Sequence, residues 1–333
     1  MKKTSNIVQF KGYKRFIEID LNKYKYYFFE NPKLNPFQEE NVLLKKYTYS
    51  SPSIITNAIL SLSKINGLNN NKKFDDLFTK LELLICKHIV IEIKFENNLD
   101  LIQTLIESIN NHNIHEFSLF LDYSENLYSD NFADILLNTN RLKNVIIFNS
   151  PFNKNLEDIV HFTTKDKKIN FNKSINEFYI NHELFFESQN KHTYFNRKLF
   201  ISELGDIKNA PECDEIFGNI KKINSIQDLN KIIFSKEFKK YWDIKKDEID
   251  ICKDCEFRNM CVDNRLLYQR NENEWFHKIE CNYNPYIAKW LGEKGYKTLE
   301  ECGVFSNENG FFINHEKICK INEVLWDEKE VEA

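Results

Sequence analysis

The sequence predicts an α/β fold. A partial, incomplete β/α barrel-like sheet over residues 86–195 is preceded by a small α+β unit over 1–85 and followed by a cysteine-rich domain over 196–333. Three observations carry this expectation. Strand-like and helix-like segments alternate between Cys86 and Phe152, the rhythm of βαβ units on a parallel sheet. Short strands fill residues 7–30. Beyond about residue 175 the alternation stops, and Cys252, Cys255 and Cys261 crowd into ten residues with Cys281 not far behind.

In order along the chain, Ile7–Phe10 and Arg15–Ile19 alternate as strands do, and Tyr24–Phe29 is an aromatic run closed by an Asn31-Pro32 turn. Ser51-Pro52-Ser53 reads as a helix start, followed by Ile54, Ile55, Ala58, Ile59, Leu62 and Ile65 at helical spacing. Asn69–Lys73 is a polar break, and Phe74–Leu84 is a second short helix. Together these elements are compatible with a winged-helix-like, peptide-recognising module.

The middle part reads strand His88–Ile93, helix Leu99–Ile109, strand Glu116–Leu121, helix Phe132–Leu137 and strand Asn144–Phe148, with a further strand in His161–Phe171. These are too few repeats for a full eightfold barrel. Phe178–Ile180 and Lys198–Ile201 read as short strands, with a turn at Gly205-Asp206. Ser225–Trp242 reads as a helix with Ser225 and Asp228 as a capping pair and Leu229, Ile232, Ile233 and Trp242 on its apolar face.

Composition removes several function classes. The chain has 333 residues but 8 glycines, none between Gly67 and Gly205. Neither the Walker A loop nor the dinucleotide-binding fingerprint can be written anywhere in it, because both need glycine where backbone meets phosphate. Net charge is −4, which makes no case for nucleic acid. Residues 1–100 hold 16 Lys/Arg against 11 Asp/Glu, a net of +5 that leaves −9 for the remainder. No apolar stretch is long enough to span a membrane and no signal segment opens the chain, so a soluble, cytoplasmic protein is expected. In that compartment eight cysteines point to thiols or metal ligands rather than disulfides.

Cys252, Cys255 and Cys261 form C-x2-C-x5-C, which lets one loop wrap a metal, and Cys281 supplies a fourth thiolate. Pro285 follows closely and suggests a helix start facing Cys281. Arg258 and Arg265 are candidates to offset thiolate charge around the metal, or else to form surface ion pairs with Glu256 or Asp263. His277, close to Cys281, could ligate or shuttle protons but reads rather as a surface histidine, and Cys86, Cys302 and Cys319 read as core residues. The spacing fits zinc as well as an iron–sulfur cluster.

The segment Tyr241-Trp242-Asp243-Ile244-Lys245-Lys246-Asp247, running into Cys252–Arg265 and then Cys281-Asn282-Tyr283-Asn284-Pro285-Tyr286, resembles the SPASM domain of radical S-adenosylmethionine peptide maturases. More closely, it is similar to the SPASM protein of grasp-with-spasm peptide-maturation systems. The resemblance is strong over about residues 195–290, includes Phe217–Ile220, and extends more weakly to Phe10–Asp20. It implies that Cys252, Cys255, Cys261 and Cys281 hold a [4Fe–4S] cluster, with zinc the alternative. Cys213 would be a remnant ligand of a second, lost cluster. The family's usual further cysteine is replaced by Arg265, and the catalytic C-x3-C-x2-C motif is absent, since Cys86 alone precedes Cys213. The chain would thus be a degenerate radical-enzyme relative. The resemblance implies a cytoplasmic accessory protein that binds a precursor peptide, an ATP-grasp ligase or both, rather than a stand-alone catalyst. A redox-active iron–sulfur peptide-modifying enzyme and a zinc-stapled scaffold are the competing readings. The strands at the start of the chain suggest pairing with an extended leader peptide.

Overall fold

A computed structural model describes residues 7–29, 50–62, 71–93, 99–137, 139–156, 158–166, 175 and 178–326. The fold is mixed α/β, with six α-helices among the described residues. The strands are β1 Ile7–Lys11, β2 Phe16–Asp20, β3 Lys25–Phe29, β4 Asn57–Leu62, β5 His88–Ile93, β6 Glu116–Asp122, β7 Leu142–Phe148, β8 Lys154–Leu156 and β9 Val160–Phe162. They continue with β10 Lys198–Ile201, β11 Asp206–Lys208, β12 Gly218–Asn219, β13 Tyr268–Asn271, β14 Glu274–Phe276, β15 Tyr283–Asn284, β16 Lys289–Trp290, β17 Val304–Asn307 and β18 Gly310–Ile313. The helices are α1 Asn71–Leu83, α2 Leu99–Asn110, α3 Asp130–Leu137, α4 His182–Ser188, α5 Ile226–Ile233 and α6 His315–Trp326.

The chain divides into two compact units, 1–50 with 170–196 and 241–333, and 51–169 with 197–240. Residues 51–85, grouped with the first strands on sequence grounds, belong to the second unit. That unit is built on a nine-stranded sheet in the order β12-β11-β10-β4-β5-β6-β7-β9-β8. The run from β10 to β9 is parallel, while β8, β11 and β12 pair antiparallel at the two ends.

β-branched and aromatic residues suit these strands, and their period of two sorts them between faces. Ile89, Ile91 and Ile93 in β5, and Phe117, Leu119 and Leu121 in β6, are almost wholly buried. Each such side chain contributes about 1.5–3 kcal/mol on burial. The helices bring matching apolar stripes: Phe74, Leu77, Phe78 and Leu81 on α1, and Ile102, Leu105, Ile106 and Ile109 on α2, spaced i, i+3, i+4 and i+7. Arg141 caps the end of α2 and the turn after it, donating to the Asn110, His112 and Ile114 carbonyls at 2.6–2.8 Å. On the alternate side of the strands a polar row runs in register across Lys198, Asn57, His88 and Glu116.

Several expectations need correction. Residues 57–62 form a strand, not part of a helix: Ala58, Leu60 and Leu62 point to the buried side, and β4 lies between two parallel neighbours. The helix expected over 225–242 ends at Ile233. Ser235 turns its hydroxyl onto the Ile232 carbonyl and accepts from Phe238 N–H, which redirects the backbone. Phe178–Ile180 is irregular rather than a strand. Within His161–Phe171 the strand is confined, among the described residues, to Val160–Phe162. The Asn31-Pro32 turn, Asn69-Asn70 and residues 167–171 lie outside the described residues.

The first unit places the antiparallel sheet β1-β2-β3 over a shared core. Val8, Ile17 and Ile19 meet Phe178 and Phe185 from the α4 segment, and Phe257, Met260, Tyr283 and Trp290 from the cysteine-rich segment. Cys255, Cys261 and Cys281 pack against this core. A second core of Tyr286, Ile287, Leu299, Cys302, Val304 and Ile318 seats α6. No helix among the described residues is long and apolar enough to cross a membrane.

Candidate metal centre

Short irregular turns hold the cysteines. Ile251 has φ +67° and ψ −48°, and Cys252 N–H donates to the Asp250 carbonyl at 2.7 Å. This is a γ-turn in the left-handed region, which a β-branched residue rarely occupies. It delivers Cys252 into a single 3-10 turn over Cys252–Asp254, whose C-cap is Cys255. Arg258 Nη1 donates to the Cys255 carbonyl at 3.0 Å, and Thr193 Oγ1 to the Cys261 carbonyl at 2.7 Å. Cys281 stands just before β15, which pairs with β16 through a turn at 285–288. Pro285 therefore opens a hairpin turn rather than the helix expected to face Cys281.

The first hairpin clamps this loop from above. Tyr13 N–H donates to the Asp254 carbonyl at 2.7 Å, and Arg258 Nη1 to the Lys11 carbonyl at 2.9 Å. Arg15 pairs at 2.5 Å with Glu256, whose side chain is fully buried, and the Tyr283 hydroxyl donates to the same carboxylate oxygen. Gly12 is required here because a Cβ would lie 2.9 Å from both Glu256 N and Oε2.

Cys252, Cys255, Cys261 and Cys281 all lie in this unit, with Cys255, Cys261 and Cys281 packed against its first core, but among the described residues only Cys252 of the four belongs to a group of ligand atoms within 4.8 Å of one another. Burial raises the Cys252 thiol against the pull of Arg265 and Lys246. It pushes Cys261 up to about 12, and burial with Glu256 beside it takes Cys255 well above the usual thiol range. Such thiols stay protonated in isolation, and a bound cation is what converts them to thiolates.

Around Cys252 lies a buried polar network. Arg265 grips Asp263 through Nε at 3.0 Å and Nη2 at 2.6 Å, and Nη2 stands 3.6 Å from Cys252 Sγ. Burial alone would raise the Asp263 carboxyl, but Arg265, then Lys246 and His277, hold it well below the ordinary value. The ion pair offered to Arg265 by the sequence is thus interior, not on the surface. Arg258, by contrast, pairs with Asp247 at 2.9 Å rather than with Glu256 or Asp263.

His277 is not on the surface: its side chain is 4% exposed. Nδ1 donates to the Leu266 carbonyl at 3.1 Å, so in the neutral ring Nε2 is the lone-pair nitrogen. Burial, then Arg265, lowers His277 to about 3. One ligand atom each from Cys252, Asp263 and His277 lie within 4.8 Å of one another, a group the cysteine spacing does not reveal. The proximity of Asp263 to Cys261 and of His277 to Cys281 along the chain was the available signal.

The other cysteines separate from this group. Cys213 is buried in the second unit, its thiol raised to about 12 by burial. Cys86 and Cys302 are core residues, but Cys319 is exposed on α6. Compared with known protein families, curated proteins and solved structures, the chain matches none of them.

Proposed function

We propose that the chain is a maturation partner in the biosynthesis of a ribosomally made, post-translationally modified peptide. In this reading it binds the precursor peptide, an ATP-grasp ligase or both, and carries one metal or [4Fe–4S] centre on Cys252, Cys255, Cys261 and Cys281. The nine-stranded sheet is then the remnant of a partial barrel, and residues 241–326 a reduced SPASM module. The observation that carries the reading is that these four cysteines share one hairpin-clamped unit, Cys252 buried and the other three partly buried against one core. The donor set fits a thiophilic metal. The buried His277 Nε2 and Lys246 Nζ, neither with a hydrogen-bond partner among the described residues, also suit an interior occupied by a charged group. When bound, an iron–sulfur centre supplies electron transfer, whereas zinc supplies cross-linking of the loops. The peptide-binding part is supported by β3, an edge strand among the described residues, with half-exposed Tyr27 and Phe29.

The compact Cys252, Asp263 and His277 group favours a second reading, a mononuclear zinc with mixed donors in a scaffold that has no redox role. Anaerobic purification followed by iron, sulfide and zinc analysis separates the two. Iron and sulfide near four each per chain support the cluster, and zinc near one supports the scaffold. Protein with neither metal overturns the site. Calorimetric titration with the precursor peptide and with the ligase tests the partners, and binding to neither overturns the maturation role.

A further inference from the structure

One buried group near the cysteines lacks a hydrogen-bond partner among the described residues. Lys246 opens the 3-10 turn Lys246–Glu248 ahead of Cys252, and its side chain is 5% exposed. Its ammonium carries three donor protons, yet Nζ meets no hydrogen-bond partner among the described residues. Asp263 Oδ2 is 3.7 Å away, beyond hydrogen-bond reach, and that oxygen already accepts from Arg265 at 2.6 Å. A buried ammonium without acceptors is costly to hold in a folded protein. Its charge is favoured by Cys261, Asp263 and Cys252 and opposed by Arg265. Protonated thiols are weak acceptors, but metal-bound thiolates carry the negative charge that a buried cation needs.

We propose that Lys246 is a built-in counter-charge for the cysteine-bound metal centre, held 3.7 Å from Asp263 Oδ2, whose carboxylate lies within 4.8 Å of Cys252 Sγ. Arg265 Nη2, 3.6 Å from Cys252 Sγ, donates directly to one of the sulfur ligands. Cys255 has Glu256 as its strongest charged neighbour, so the centre is electrostatically one-sided. Lys246 acts here as a positioning and tuning residue, not a catalytic one. A cation beside metal thiolates opposes their protonation and release of the metal. Beside an iron–sulfur cluster it also favours the reduced, more negative state. The proposal rests on the four-cysteine reading above.

The test uses metal-loaded wild type, Lys246→Met, Lys246→Arg and Cys255→Ala, each titrated with a chelator. Lys246→Met is expected to hold its metal about 10- to 100-fold more weakly, the usual loss on removing an outer-shell partner. Lys246→Arg, which keeps the charge, is expected to stay close to wild type. If the metal is iron–sulfur, Lys246→Met also moves the midpoint potential to more negative values. Should Lys246→Met give no folded protein, Lys246→Gln removes the charge while keeping a donor, and the same criteria apply. Unchanged metal affinity in the charge-free variant, with wild type and Cys255→Ala differing as expected, overturns this proposal and leaves the site intact. A wild type that takes up no metal overturns the site, and the proposal with it.

Discussion

Replacing Arg15 by Met should destabilise the first unit by about 3–4 kcal/mol. The Glu256 side chain is fully buried and that of Arg15 17% exposed. The carboxylate keeps only the Tyr283 hydroxyl once Arg15 is gone, because its Oε2 has no hydrogen-bond partner among the described residues. Removing one partner of a buried pair costs about 3–5 kcal/mol, and the partial exposure of Arg15 places the loss at the lower end, about 3 kcal/mol. The guanidinium also sits 3.8 Å over the Phe28 ring, which adds about 0.5–1 kcal/mol. Met retains the aliphatic packing. All four tryptophans, Trp242, Trp275, Trp290 and Trp326, belong to this unit, so urea unfolding followed by tryptophan fluorescence reports on it selectively. Adding Glu256→Gln to Arg15→Met should recover part of the loss, since it removes the orphaned charge. A loss below about 1 kcal/mol, or strict additivity of the two substitutions, would refute the clamp.

Three further outcomes are expected. Cys255→Ala should lower metal content and melting temperature together, because metal binding is coupled to folding; unchanged melting counts against a structural metal. His88 accepts from Asn57 Nδ2 at 3.1 Å and donates Nε2–H to Ser118 Oγ at 3.0 Å, and burial lowers it to about 4. The unfolded histidine protonates near 6.5, so stability should fall by up to about 3 kcal/mol as pH drops from about 6.5 towards 4. Urea midpoints at pH 7 and 4.5, by circular dichroism, should show a smaller loss for His88→Gln, and an equal loss contradicts the assignment. Leu60→Ala should cost about 3 kcal/mol and Ile59→Ala much less, because Leu60 is fully buried and Ile59 is not. Equal costs would argue against the strand.

The parts legible in the sequence were those with one unambiguous period. β5 alternates cleanly, β6 puts Phe117, Leu119 and Leu121 at every second position, and α2 carries an unbroken i, i+3, i+4, i+7 stripe. The sequence of β4 fits a helix because Ala58, Ile59 and Leu62 are apolar on both sides of a strand between parallel neighbours and continue the spacing of Ile54 and Ile55. Such a run matches a helical template as well as a strand. Of the candidate site, the four cysteines could be picked out because thiols recur at short spacings. Arg15, Glu256 and Tyr283 could not, since nothing local couples positions 241 residues apart. The burial of His277 and Lys246 was equally hidden, because local polarity predicts exposure and only the packed loops reverse it.

The hairpin clamp has a consequence for how the protein is made. Gly12, Tyr13 and Arg15 emerge from the ribosome early, but their partners Asp254, Glu256 and Tyr283 come some 240 residues later. At about 5–20 residues per second, the first strands wait roughly 10–50 seconds before the cysteine loop exists. The second unit is complete by residue 240 and has everything it needs to fold in that interval. Closure of the cysteine loop system is thus confined to the end of synthesis, when metal must be supplied to a chain that is already half folded.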